Sequence, residues 1–359
     1  MLGQRIHQAR LAAGLTLEAL GQALGVTKPA IQKYEKGAVT PDSAKLRKIA
    51  KACGVRTEYF FRTSSVELTH VEFRRTNALG VKRSEAVKIR VAAQVEKRVE
   101  LLNAFPESPV VCFTVPGVVP AQISTLDALE AVADDVRRAW SLGLNPIGDL
   151  SDTLETLGLM VLRVSETHSA FSGMTATAIA ADGQSYPVVA VSSNWPGDRQ
   201  RFTLAHELAH VLLAGRLADG VDEEKACDRF AGAFLAPRAA VVNELGAQRH
   251  RLEPRELYRL KQEYGLSMKG WAIRALQCEV IPHGHFESLM KLFSARGWNR
   301  QEPGEPLPSE SPQLFEQLVY RALAEQLISE SKAAELLGIP QLQFYRQRWM
   351  EPLDAAANQ

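Results

Sequence analysis

Cysteine is scarce in this sequence. The four present among 359 residues, Cys53, Cys112, Cys227 and Cys278, show no paired spacing. That excludes a disulfide framework and predicts a reducing, cytoplasmic setting. No apolar run approaches about 18 residues, which excludes a helical membrane span. The opening residues, MLGQRIHQAR, hold no apolar stretch of the secretory kind, so no export signal is expected. Repeats and low-complexity tracts are also missing. Net charge is almost absent at +1, but that total hides an asymmetry. Residues 1–62 carry 11 Lys/Arg against 4 Asp/Glu, and the remainder is acidic. A basic head on an acidic body points to nucleic acid at the head.

The head reads as five short helices. GQRIHQARLAAG stops at Gly14. TLEALGQALG starts on Thr16 as N-cap and stops at Gly25. VTKPAIQKYEKG starts on Thr27, tolerates Pro29 in its first turn and ends at Gly37. PDSAKLRKIAKACG is capped by Asp42 and stopped by Gly54, and TEYFF closes the set. The second and third form helix, tight turn, helix. Thr27, Lys28, Gln32, Lys33 and Lys36 face outward from the third and Ile31 faces inward, the arrangement that sets a recognition helix into a major groove.

Residues 63–123 read as a helical connector, dominated by the amphipathic stretch SEAVKIRVAAQVEKRVELLNAF; SPVVCFTVPGVVP reads as a short strand ended by prolines. From 124 to 303 helices alternate with a few strands: a helix capped by Ser124 or Thr125, a short helix at LSDTLETLG, a strand at LMVLRV, and two strands around the turn ADGQ. LEPRELYRLKQEYGLSMKGWAIRALQ is two helices joined at Gly265. GEPLPSESP is a linker, and residues 313–359 are helical again. The expected class is mainly α with a small β-sheet.

Within RFTLAHELAHVLLAG, His206 and His210 stand four apart on one helical face and can present imidazole nitrogens to one ion. Glu207 lies about 100° round the axis, in reach of a water but not of the ion. The bland alternative is a half-buried helix bearing two surface histidines. A third ligand must come from the next helix, EEKACDRFAGAFLAP. Glu224 is assigned to the metal, with Glu223 the alternative. Asp228, one turn on, is assigned to orient a histidine. The expected cofactor is one Zn2+ per chain, with Mn2+ the substitute. Tyr186, His250 and Arg201 are candidates for oxyanion stabilisation. His168, His283 and His285 read as surface or core residues. The strand YPVVAVSS is expected to hold substrate by edge pairing.

RQRFTLAHELAHVLL followed by EEKACDRFAGAFLAP resembles the ImmA/IrrE family of zinc metallopeptidases, over roughly residues 125–275. The matched positions run from Arg201 to Glu207 and then through Glu224, Cys227, Asp228, Phe230, Ala231, Leu235 and Pro237. Ala226 departs from the family, in which many members carry a second glutamate there. The resemblance implies a gluzincin-like fold and peptide hydrolysis: metal on His206, His210 and Glu224, with Glu207 as general base. Residues 3–62 resemble the Cro/C1-type (XRE) helix-turn-helix family through Leu15 to Glu18, Leu24 to Thr27, Ile31, Tyr34 to Gly37 and Pro41. That likeness puts Lys28 and Gln32 at base edges, and Thr16, Lys33 and Lys36 at phosphates.

The functional expectation is a DNA-binding regulator, a homodimer on double-stranded operator DNA, that cleaves a protein partner, a transcriptional repressor. The alternatives are a repressor whose zinc domain is a sensor or scaffold without turnover, and an antitoxin-like autorepressor. LISESKAAELLGIPQLQFYRQRW has a helix-turn-helix outline of its own, capped at Ser331 and turning at Gly338. It reads first as a packing or dimer element, with a second DNA contact as the other reading.

Overall fold

The computed structural model describes residues 2–62, 66–74, 80–165 and 171–350. His168 lies outside them.

The head is α1 (Leu2–Ala12), α2 (Leu17–Leu24), α3 (Lys28–Glu35), α4 (Ser43–Cys53) and a 3-10 helix (Thr57–Phe61). Its boundaries follow local chemistry. Thr16 Oγ1 accepts from the Ala19 N–H at 3.0 Å, and Asp42 Oδ1 from that of Lys45 at 2.8 Å. Gly25 and Gly54 stop α2 and α4 in the left-handed conformation. Ile6, Leu20, Ile31, Ile49 and Phe60 close the core of this bundle.

Next come β1 (Val66–Phe73), α5 (Val81–Leu102), α6 (Ala128–Ala139), α7 (Leu150–Thr156), β2 (Met160–Val164), β3 (Gly173–Ala180) and β4 (Ser185–Ser192). They are followed by α8 (Gly197–Leu213), α9 (Glu223–Leu235), α10 (Arg238–Leu245), α11 (Pro254–Tyr264), α12 (Met268–Gln277) and α13 (His283–Ala295). The last three helices are α14 (Leu314–Ala324), α15 (Glu330–Leu337) and α16 (Gln341–Arg348).

The sheet order is β1-β3-β4-β2, with β2 and β4 parallel and the other pairs antiparallel. Both faces are covered, so its central strands are apolar on both sides. Val161, Val189 and Val191 join a core with α8, α9 and α6. Met160, Leu162, Val188 and Ala190 join a second core with α5 and α14–α16.

Four sequence expectations are corrected. VELTHVEF is a strand, not part of a helical connector. Its alternation slips at a bulge between Thr69 and Glu72, where His70 has φ 48°, so a period-two pattern is broken halfway. SPVVCFTVPGVVP forms no strand, since Pro109, Pro116 and Pro120 withhold ladder donors. YPVVAVSS is β4, paired on both sides, so it has no free edge for substrate. The cap of α15 is Ser329, which accepts from the Lys332 N–H; Ser331 lies inside the helix. Gly338 does turn left-handed, and Ala333, Leu336 and Phe344 pack α15 and α16 into the second core.

Candidate functional site

Helix α8 is almost wholly buried because it runs between the sheet and α9. One turn along it, His206 and His210 bring their Nε2 atoms to 3.2 Å from each other. Glu224, in the first turn of α9, puts Oε2 at 3.5 Å from His206 Nε2 and Oε1 at 3.5 Å from His210 Nε2. Ligands on a tetrahedral ion with bonds of about 2.0–2.1 Å lie about 3.3–3.4 Å apart, so these three residues fit zinc.

The outer partners suit the same role. His206 Nδ1 donates to Asp228 Oδ1 at 2.8 Å, which leaves the Nε2 lone pair on the ligand side. Burial holds His206 below the ordinary histidine range against the pull of Asp228, which favours the neutral imidazole a metal needs. His210 Nδ1 stands 3.2 Å from Glu223 Oε1 and 3.2 Å from Glu72 Oε2. Glu223 is thereby on the outer side of His210, and of the two glutamates it is Glu224 that reaches both Nε2 atoms. Burial pushes the Cys227 thiol up, and Cys227 is not among the three donors that converge here.

Glu207 is 1% exposed and neither carboxyl oxygen has a hydrogen-bond partner among the described residues. Burial drives its proton affinity well above the ordinary carboxyl value; Glu224 and Glu72 add to this and Arg74 opposes it. An orphaned buried carboxylate is costly in a merely structural setting. Space for it comes from Gly173 at the start of β3, where an added Cβ would stand 2.4 Å from Glu207 Oε1.

The oxyanion candidates lie elsewhere. Tyr186 packs toward the second core and its hydroxyl meets Gln184. Arg201 binds the Ile147 and Gly148 carbonyls and Glu310, locking loops together. His250 is exposed. Of the other histidines, His283 is exposed beside Glu287, and His285 Nε2 accepts from the Leu252 N–H. Sequence reasoning missed Arg74, which binds Asp228 at 2.8 Å, reaches Thr203 Oγ1 at 3.4 Å and lies over the Phe202 ring. It also missed Glu72. Both sit at the far end of the unrecognised β1.

In the head, Thr16, Thr27, Lys28, Gln32, Lys33 and Lys36 are all exposed, while Ile31 and Tyr34 are buried. Lys28 Nζ pairs with Glu18 at 2.6 Å, an exposed contact of little energy that a base edge can replace. The Thr16 hydroxyl accepts within its own helix and keeps its O–H to donate. Docking on the body leaves this face open. Glu96 of α5 holds Arg5 at 2.8 Å, and Glu335 of α15 holds Arg62 at 3.2 Å, while the polar residues of α3 stay exposed.

Residues 6–60 match the family model described as helix-turn-helix, and residues 155–275 match that of the IrrE N-terminal-like domain. An uncharacterized HTH-type transcriptional regulator of Sinorhizobium fredii, y4wC, is 34% identical over 104 residues, 29% of this chain and 70% of the relative. An uncharacterized transcriptional regulator in the ATPase CF(0) region of Rhodospirillum rubrum is 43% identical over 60 residues, 17% of this chain and 56% of the relative. A prophage-derived HTH-type regulator of Bacillus subtilis, YonR, is 30% identical over 73 residues, 20% of this chain and 63% of the relative.

Proposed function

The chain belongs to the helix-turn-helix transcriptional regulators and carries an IrrE-like domain behind that head, and on this premise we propose that it binds operator DNA and hydrolyses a peptide bond in a protein partner, a transcriptional repressor. The observation that carries the reading is the three-donor cluster of His206, His210 and Glu224 with the unpartnered Glu207 beneath it.

His206, His210 and Glu224 would hold zinc, which would supply Lewis acidity toward the scissile carbonyl and lower the pKa of a bound water. Glu207 takes the proton of the attacking water and delivers it to the departing amine. Asp228 and Glu223 hold the two imidazoles in orientation. A groove of about 530 Å3 beside Asp228, lined by Phe202, Leu266 and Ile273 among others, has room for a substrate side chain. In the head, Lys28 and Gln32 read base edges while Thr16, Thr27, Lys33 and Lys36 hold phosphates. A homodimer sets two α3 helices about 34–36 Å apart on a pseudo-palindrome.

Glu207→Gln is the decisive variant. It should bind zinc and operator DNA as the parent does and lose hydrolysis of the partner by about 10²–10⁴-fold. Undiminished disappearance of the partner in cells expressing the glutamine form would leave a sensor or scaffold as the reading.

A further inference from the structure

The strand that joins head to body lies across the site. β1 pairs antiparallel with β3, the strand that begins beside Glu207, and covers its only edge not held by β4. An extended peptide approaching this site by strand addition would need that edge. The last residues of β1 do more than complete a sheet. Arg74 N–H donates to the carbonyl of Gly173, the residue packed against Glu207, at 3.1 Å. Glu72 reaches the outer nitrogen of His210 at 3.2 Å, and Arg74 binds Asp228, the outer partner of His206, at 2.8 Å. Both candidate metal-ligating histidines are therefore tethered, through their outer partners, to one short piece of chain. On the other face Val71 and Phe73 settle on the second core, Phe73 edge-on to Phe171.

We propose that β1 is a resident peptide, occupying in cis the β3 edge on which an extended protein substrate must dock, and that the substrate enters by displacing it. The inference rests on the peptidase reading above. It also ties the site to the head. β1 starts shortly after the 3-10 helix of the head, and the next helix, α5, grips α1 through Glu96 to Arg5 and through Arg90 Nε to the Ala12 carbonyl at 2.8 Å.

The test uses the full chain in a Glu207→Gln background, so that nothing is cut, and a fluorescein-labelled peptide VELTHVEFR, the sequence of residues 66–74. A release variant, Glu72→Ala with Arg74→Ala, removes the two tethers. A lock variant, Thr69→Cys with Thr177→Cys, joins residues that face each other across β1 and β3. By fluorescence anisotropy the release variant should bind the peptide at least tenfold more tightly than the parent. The oxidised lock should bind none, and reduction of the same sample should restore parental binding, which removes misfolding as an explanation. Equal binding by oxidised and reduced lock, or no gain in the release variant, overturns the proposal. Because binding is read without cleavage, its failure is distinct from a failure of hydrolysis in the Glu207 comparison.

Discussion

Glu207 is positioned by a residue that has no side chain at all. Gly173 faces it so closely that a methyl group there would meet Glu207 Oε1 at 2.4 Å and Thr203 Cγ2 at 2.5 Å. The φ of Gly173 is not in the left-handed region, so alanine introduces crowding and no backbone strain. Gly173→Ala should therefore leave the fold and the metal ligands in place and push the carboxylate aside. A displacement of about 1 Å at a reacting group costs on the order of 10²-fold in rate. Zinc content, far-ultraviolet circular dichroism and peptide hydrolysis measured on one preparation check it. Full hydrolysis with normal zinc would mean that Glu207 does not act from the place it holds here.

Among the elements, α3 presents an exposed polar face to solvent. Ile31 and Tyr34 anchor it, while Gln32, Lys33 and Lys36 stay in solvent. A phosphate contact releases a counterion, so binding weakens with salt in proportion to the number of contacts. Lys33→Ala should weaken binding to operator and to unrelated DNA alike, and lower the slope of log affinity against log salt by about 1. A loss confined to one sequence would move Lys33 from phosphate to base edge.

Across the whole molecule, the head is bolted to the body by buried charge. Arg5 and Glu96 meet at 2.8 Å with side chains only 10% and 6% exposed. Burial pushes the Glu96 carboxyl up even though Arg5 pulls it down, a sign of how fully the pair has left water. Removing one member of a buried pair strands the other at a cost of about 3–5 kcal/mol. Glu96→Ala should lower the thermal midpoint and split head from body into separate calorimetric transitions. A single unshifted transition would show that the apolar contacts of α1 with α5 hold the head without this pair.

Local chemistry explains what could be read from the chain alone. The helix stops at Gly25 and Gly54, the caps at Thr16 and Asp42, and the four-residue step from His206 to His210 each depend on residues within one or two turns, so order in sequence is enough. Glu224 and Asp228 were within reach for the same reason, lying one turn apart on the adjoining α9. The strand β1 was not, because its pairing partner is about a hundred residues away and its bulge breaks the alternation that marks a strand. With it went Glu72, Arg74 and the close approach of Gly173 to Glu207. That β3, and not β4, lies next to β1 was likewise invisible, since apolar strands look alike in sequence and only long-range hydrogen bonding assigns them an order in the sheet. Residue spacing along a helix thus names the groups able to do chemistry here, whereas access to them depends on which distant segment pairs beside them.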